Sequence, residues 1–170
     1  MHRREAREFV LAALYQREFI DSSLDELLAE TDAGDQRSYI EQTLNGISKN
    51  AAQIDDEIAG RTVGWRFERL ALIDRNILRL GVYELLYLSD VPPEVAIDEA
   101  VELCKKYGTE NARVFVNGIL DRIWKEKLQR EDTRREEDRP RTAEGPAREG
   151  DRSEEPGNLP EARGDPPGGG

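Results

Sequence analysis

The side chains able to do chemistry are unevenly supplied in this 170-residue chain. There is one histidine, His2, and one cysteine, Cys104. A His/Cys metal cluster and a Cys–His nucleophilic pair are therefore excluded by inventory. No glycine-rich phosphate loop occurs, because the glycines are isolated or gathered near the C-terminus. Asp55/Asp56 and Asp98/Glu99 are adjacent carboxylates, yet among 36 acidic residues they read as solvated helix face. No catalytic residue, metal ligand or cofactor is assigned. The expectation is a binding protein rather than an enzyme.

Binding chemistry is better represented. At about 100° per residue, Arg3, Arg4 and Arg7 share one side of a helix, with Leu11 and Tyr15 continuing it. Guanidinium groups suit phosphates and base planes, and an aromatic ring suits stacking, which are the parts that single-stranded RNA recognition uses. The competing reading is an ordinary solvated helix with Tyr15 partly in the core. A second group lies in GTENARVFVNGILDRI, residues 108–123. Asn111 and Arg113 open a helix there, where free backbone N–H groups favour phosphate. Phe115 offers a stacking ring or a core side chain. Asn117-Gly118 within that helix suggests a close helix–helix approach. A third group, LRLGVYELL (78–86), carries Arg79 and Glu84 in an apolar run. Buried charge needs a partner, so Glu84 is expected to find a cation or a helix N-terminus elsewhere in the fold, with a structural ion pair the favoured reading, and Gly81 would admit a close neighbour.

The elements that position these residues are helices. Ala6, Phe9, Val10, Ala13 and Leu14 form an amphipathic stripe between Arg3 and Phe19. Ser22 or Ser23 can cap a short second helix. A third would run from about residue 36 to 58. Glycines 60 and 64 mark a break, after which residues 67–88 are apolar on most sides, as a central helix is. SDVPPE ends that helix and begins the next, which Gly108 suits as a C-terminal cap. Thr109 can cap the last helix. No β pattern appears, so the fold class is all-α.

Composition sets the boundaries. Residues 1–130 carry 18 Lys+Arg against 24 Asp+Glu, and residues 131–170 carry 7 against 12, which accounts for the net charge of −11. Six of eight prolines and seven of fourteen glycines fall in the last stretch. That composition cannot offset its ordering entropy, so 131–170 reads as a disordered acidic tail. An acidic chain is a poor general ligand for polyphosphate, and RNA binding must therefore be local. The acidic tail is either a solubilising extension or an intramolecular competitor for the arginines. With no membrane-length apolar run, no signal-peptide core and no possible intrachain disulfide, the expectation is a soluble cytoplasmic protein.

Three segments carry a family resemblance: RREAREFVLAALY (3–15), IDRNILRLGVYELLY (73–87) and DVPPEVAIDEAVELCKKYGTENARVFVNGILDRI (90–123). In that order they resemble the bacterial antitermination factor NusB family. The resemblance spans residues 3–125. It implies two antiparallel three-helix subdomains, about 1–62 and 63–130, followed by the tail. It further implies binding of boxA RNA with NusE, a ribosomal small-subunit protein. Entry into RNA polymerase antitermination complexes during rRNA transcription follows from the same resemblance. The implied RNA-contacting positions are Arg3, Arg4, Arg7, Tyr15, Asn111, Arg113 and Phe115, with Asp74 as an acidic position near the same surface. Two departures oppose each other: Glu5 stands where relatives often have arginine, and Asn111 where they often have a carboxylate. The alternative from another class is a self-associating protein–protein adaptor, a homodimer whose RNA face is masked.

Overall fold

The computed structural model describes residues 1–62, 64 and 66–140, and within them every regular element is helical. Seven α-helices follow in order: α1 (Arg3–Arg17), α2 (Leu24–Leu28), α3 (Arg37–Lys49), α4 (Ala51–Ala59), α5 (Leu72–Tyr87), α6 (Pro93–Tyr107) and α7 (Ala112–Glu137). Short 3₁₀ turns at Gly34–Gln36 and Phe67–Arg69 precede α3 and α5. Met1–Asp138 form one compact unit.

The central element is α5, which packs against α1, α3, α4, α6 and α7. Its sequence explains the position. Ile77, Leu78, Leu80, Val82, Tyr83 and Leu85 are all buried, so apolar groups leave the helix in every direction. Fully burying one such aliphatic side chain contributes about 1.5–3 kcal/mol. Gly81 lets α7 and α6 come close: a Cβ there would lie 2.7 Å from Leu120 Cδ1 and 3.4 Å from Ala100 Cβ. Gly46 on α3 does the same for the ring of Tyr83, which occupies the space a side chain would need. Of the three polar residues buried on α5, Asp74 and Glu84 bond to other elements and organise the site described below, while Asn76 accepts from Arg79 of the same helix at 3.0 Å.

Local chemistry sets the helix ends. Ser23 caps α2: its hydroxyl accepts from the Glu26 N–H at 3.2 Å, and Glu26 Oε2 accepts from the Ser23 N–H at 2.8 Å. Proline opens α6, with Pro92 ahead of Pro93, where no backbone N–H is needed. Arg79 meets Asp55 of α4 through two hydrogen bonds of 2.7 and 2.9 Å and Glu18 beyond α1 at 2.7 Å.

Several boundaries differ from the expectations. The helix expected over 36–58 breaks at Asn50 (φ −109°, ψ 21°), whose side-chain amide donates to the Gly46 carbonyl at 2.8 Å and offers the backbone a local alternative to a continuous helix. Continuous helix begins at Leu72 rather than Phe67, after extended residues at Leu70 and Ala71. Gly64 takes a left-handed φ of +75°, the conformation that makes it a breaker. Gly118 meets nothing within 4 Å, so the close approach expected there occurs at Gly81 instead. Residues 131–137 continue α7 rather than starting a disordered tail. A Lys127–Glu131 pair at i,i+4 bridges into that extension, and Glu and Arg are good helix formers in an exposed stretch. The rest of the tail expectation, residues 141–170, lies outside the described residues.

Candidate nucleic-acid interface

The three arginines of α1 meet three different environments. Glu5, one turn in, accepts from the His2 N–H at 2.6 Å and closes the helix start, which gives this acidic residue a local task within a basic stretch. Arg3 is half-buried: Nε donates to Gln36 Oε1 at 2.6 Å, and the guanidinium lies 4.1 Å from the centre of the Tyr39 ring. The Arg4 side chain is 61 % exposed and donates through Nε and Nη2 to Glu99 of α6, at 3.0 and 2.7 Å. Arg7 is buried. Its Nε donates to both oxygens of Glu84, at 2.9 and 3.2 Å, and Nη1 lies 3.6 Å from Glu99. Glu84, itself 1 % exposed, also accepts from the Tyr39 hydroxyl at 2.7 Å. Burial, reinforced by the Glu84 carboxylate, pushes the Tyr39 hydroxyl well above its usual pKa and keeps it a donor.

The end of α6 adds what the sequence reading did not assign. Lys106 donates to both oxygens of Glu8 at 2.8 Å, and the Tyr107 hydroxyl donates to Glu8 Oε2 at 2.7 Å. Lys105 pairs with Glu102 at 2.7 Å. Arg4, Glu8, Glu99, Glu102, Lys105 and Lys106 thus line an open hollow of about 350 Å³ between α1 and α6. Hydrogen bonds from Arg4 hold the Glu99 carboxyl below the usual carboxylate range, against the opposing effect of partial burial. Lys106 and then Tyr107 do the same for Glu8. The one sequence signal for this cluster is the Lys-Lys pair ahead of Gly108, which otherwise reads as a basic complement to the helix C-terminus.

Next to it, a second hollow of about 300 Å³ is lined by Cys104, Lys105, Gly108, Thr109, Glu110 and Arg113, so Lys105 borders both. Asn111 is exposed at the cap position of α7, without a side-chain bond to the helix. Arg113 is exposed and has no ion-pair partner among the described residues. Thr109, expected as the cap of α7, instead engages Asp74: its N–H and hydroxyl donate to the two carboxylate oxygens at 3.0 and 2.5 Å. A buried carboxylate with two charge-assisted bonds is a stronger partner than the helix end. Asp74 therefore tethers the α6–α7 link to α5. Burial, with the nearby Asp74 charge, pushes the Cys104 thiol up to about 12, so it stays a protonated core group at neutral pH.

Two predicted residues lie apart from this face. Tyr15 stacks edge-to-face on Phe19, 5.3 Å between centroids, about 18 Å along α1 from Arg3 at 1.5 Å per residue. Phe115 is partly buried against the core and lines a different hollow of about 260 Å³ with Arg61, Thr62, Leu70, Gly118, Ile119 and Arg122.

Residues 4–125 match the model of the NusB family. The chain belongs to the NusB family. A curated NusB transcription antitermination protein from Pseudothermotoga lettingae is 45 % identical over 127 residues, covering 72 % of this chain and 91 % of that protein. The NusB of Fervidobacterium nodosum is 41 % identical, with 76 % and 94 % covered. The solved NusB from T. maritima is similar with a TM-score of 0.68 and 45 % identity, covering 77 % of this chain and 98 % of that one. A second NusB, solved with NusE and double-stranded RNA, has a TM-score of 0.64 and 31 % identity, covering 72 % and 96 %. The NusB match takes in Arg4, Arg7, Tyr15, Asp74, Asn111, Arg113 and Phe115; Arg3 directly precedes it, and about the last three turns of α7 follow it.

Proposed function

We infer that this chain is a transcription antitermination factor that binds boxA RNA together with NusE and joins RNA polymerase antitermination complexes during rRNA transcription. The observation that carries this reading is the relative solved with NusE and double-stranded RNA, whose length this chain covers almost completely at 31 % identity. Arg3, Arg4, Asn111 and Arg113 are the residues offered to RNA, since each is exposed or half-exposed at the start of α1 or of α7. Arg7 and Asp74 serve the same face from within: one holds α1 against α5, the other sets where α7 begins. Tyr15 and Phe115 fall to separate surfaces, available to a longer RNA or to a protein partner. The role is binding rather than catalysis, and it suits a soluble cytoplasmic protein; no helix among the described residues is long and apolar enough to cross a membrane.

The test is a titration of boxA RNA and a scrambled RNA of equal length, with and without NusE, across a salt series. The expected result is tighter, boxA-selective binding when NusE is present. Arg4→Ala and Arg113→Ala should weaken binding and each lower the salt slope by about 0.7 per phosphate no longer neutralised. Equal affinity for the two RNAs in the presence of NusE would refute the reading.

A further inference from the structure

The α1–α6 hollow has a feature that a simple basic patch lacks: every cation in it already has a carboxylate. Arg4 is held by Glu99, Lys106 by Glu8 and Lys105 by Glu102, each at 3.0 Å or less. Three positive and three negative side chains line one open cavity, so its net charge is zero. The cations are nonetheless reachable, with side chains 61 % (Arg4), 50 % (Lys105) and 58 % (Lys106) exposed, whereas Glu99 and Glu8 are only 16 % and 25 % exposed. In the Arg4–Glu99 and Lys106–Glu8 pairs the carboxylate is thus the buried half and the cation the exposed half, while Lys105 and Glu102 are about equally exposed.

We propose that this hollow is a backbone-phosphate subsite in which Lys105 and Lys106 carry RNA from Arg4 across to Arg113, while Glu8 and Glu99 hold the cations in the free chain until phosphate replaces them. The proposal rests on the RNA-binding reading above. Geometry supports the path: Lys105 borders both the Arg4 hollow and the Arg113 hollow. Chemistry supports the exchange. A guanidinium that bonds a carboxylate through two N–H groups bonds a phosphate in the same way, and solvent-exposed ion pairs are weak enough to be swapped. The consequence is selectivity. A self-neutralised cleft on a chain of net charge −11 attracts random polyphosphate poorly. It admits RNA that other contacts already hold in place, and the two displaced carboxylates remain nearby as a penalty against RNA that lacks those contacts.

The experiment compares the parent full-length chain, Glu8→Gln, Glu99→Gln and the double variant Lys105→Gln/Lys106→Gln. Each is titrated by fluorescence anisotropy with boxA RNA and with scrambled RNA of equal length, at saturating NusE and several salt concentrations. Either glutamine replacement should tighten scrambled RNA by about two- to five-fold, the range of one exposed ion pair, and narrow the boxA-to-scrambled ratio. The double lysine variant should weaken both RNAs and lower the salt slope by about 0.7 for each phosphate that a lysine had neutralised. Unchanged or weaker binding by both glutamine variants overturns the displacement idea and leaves the carboxylates as positioning residues only. An unchanged salt slope in the lysine variant overturns the subsite. Because Glu8 is the more exposed of the two carboxylates and does not touch buried Arg7 as Glu99 does, its variant decides the matter even if Glu99→Gln misfolds. A parent chain that binds boxA selectively while every variant behaves like it refutes this subsite alone; a parent without selectivity refutes the RNA reading itself.

Discussion

Arg4 and Arg7 stand one helical turn apart on α1, carry the same group and each face a glutamate, yet they belong to different kinds of site. Around Arg7 the pair is dry: Glu84 is 1 % exposed and also accepts from Tyr39. Around Arg4 the pair is wet, with the guanidinium side chain 61 % exposed. In a dry setting the loss of one partner strands a charge, so the pair acts as a fixed part of the fold. In water the same pair is weak and exchangeable, which suits a binding face. The difference lies in burial, not in residue type.

The largest effect that can break this contrast is on stability. Arg7→Ala should cost about 3–5 kcal/mol in urea unfolding, because Glu84 would remain buried without its cation. Replacing Arg7 and Glu84 together by apolar residues of similar size should recover much of that loss. If Arg7→Ala instead leaves the unfolding midpoint in place and abolishes RNA binding, Arg7 is a contact residue and the contrast with Arg4 collapses.

A smaller effect belongs to Asp74, which sits on the core side but shapes the surface. Asp74→Asn keeps the volume and loses the charge-assisted bonds from Thr109, so it should cost about 1.5–3 kcal/mol. Amide hydrogen exchange should rise most around residues 108–113, the link it tethers. Uniform exchange across the chain would show that Asp74 stabilises the fold without positioning the start of α7.

The smallest effect is the pH response, and it separates the regions by sign. Glu8 and Glu99 on the wet side have lowered values, so their contribution is present above the ordinary carboxylate value of about 4.5 and is lost as pH falls below it. Tyr39 on the dry side has a raised value. Its contribution is complete below the ordinary tyrosine value of about 10 and declines as pH rises above it, because the unfolded chain gives up that proton first. Unfolding midpoints measured across pH should therefore fall at both ends. Tyr39→Phe should flatten the alkaline limb, and Glu8→Gln should reduce the acid limb slightly.

Much of the fold is legible in the sequence because it depends on periodic burial. The stripe of α1, the all-round apolar α5, the proline start of α6 and the Ser23 cap are each local signals with one physical meaning. The misplaced boundaries have local causes that compete with the helix: Asn50 folds back on Gly46, and Thr109 prefers the Asp74 carboxylate to the α7 end. The extension of α7 past residue 130 escapes any reading that equates low apolar content with disorder, because exposed Glu and Arg are good helix formers and a Lys127–Glu131 pair crosses its start.

The candidate site is only half legible. Its arginines stand out in α1, but Lys105, Lys106, Glu8 and Glu99 carry no motif and gain meaning only when α6 is laid beside α1. Residue order alone determined the all-helical class, the central place of α5, the need of Glu84 for a partner and the family to which the chain is similar. Tertiary structure decided that this partner is a cation, Arg7, that Arg4 stays in water, and that the first helix reaches the last through the end of α6. The physical reason is that helix propensity and amphipathic pattern act within a few residues, whereas charge pairing and desolvation depend on neighbours 77 or 95 positions away in the chain.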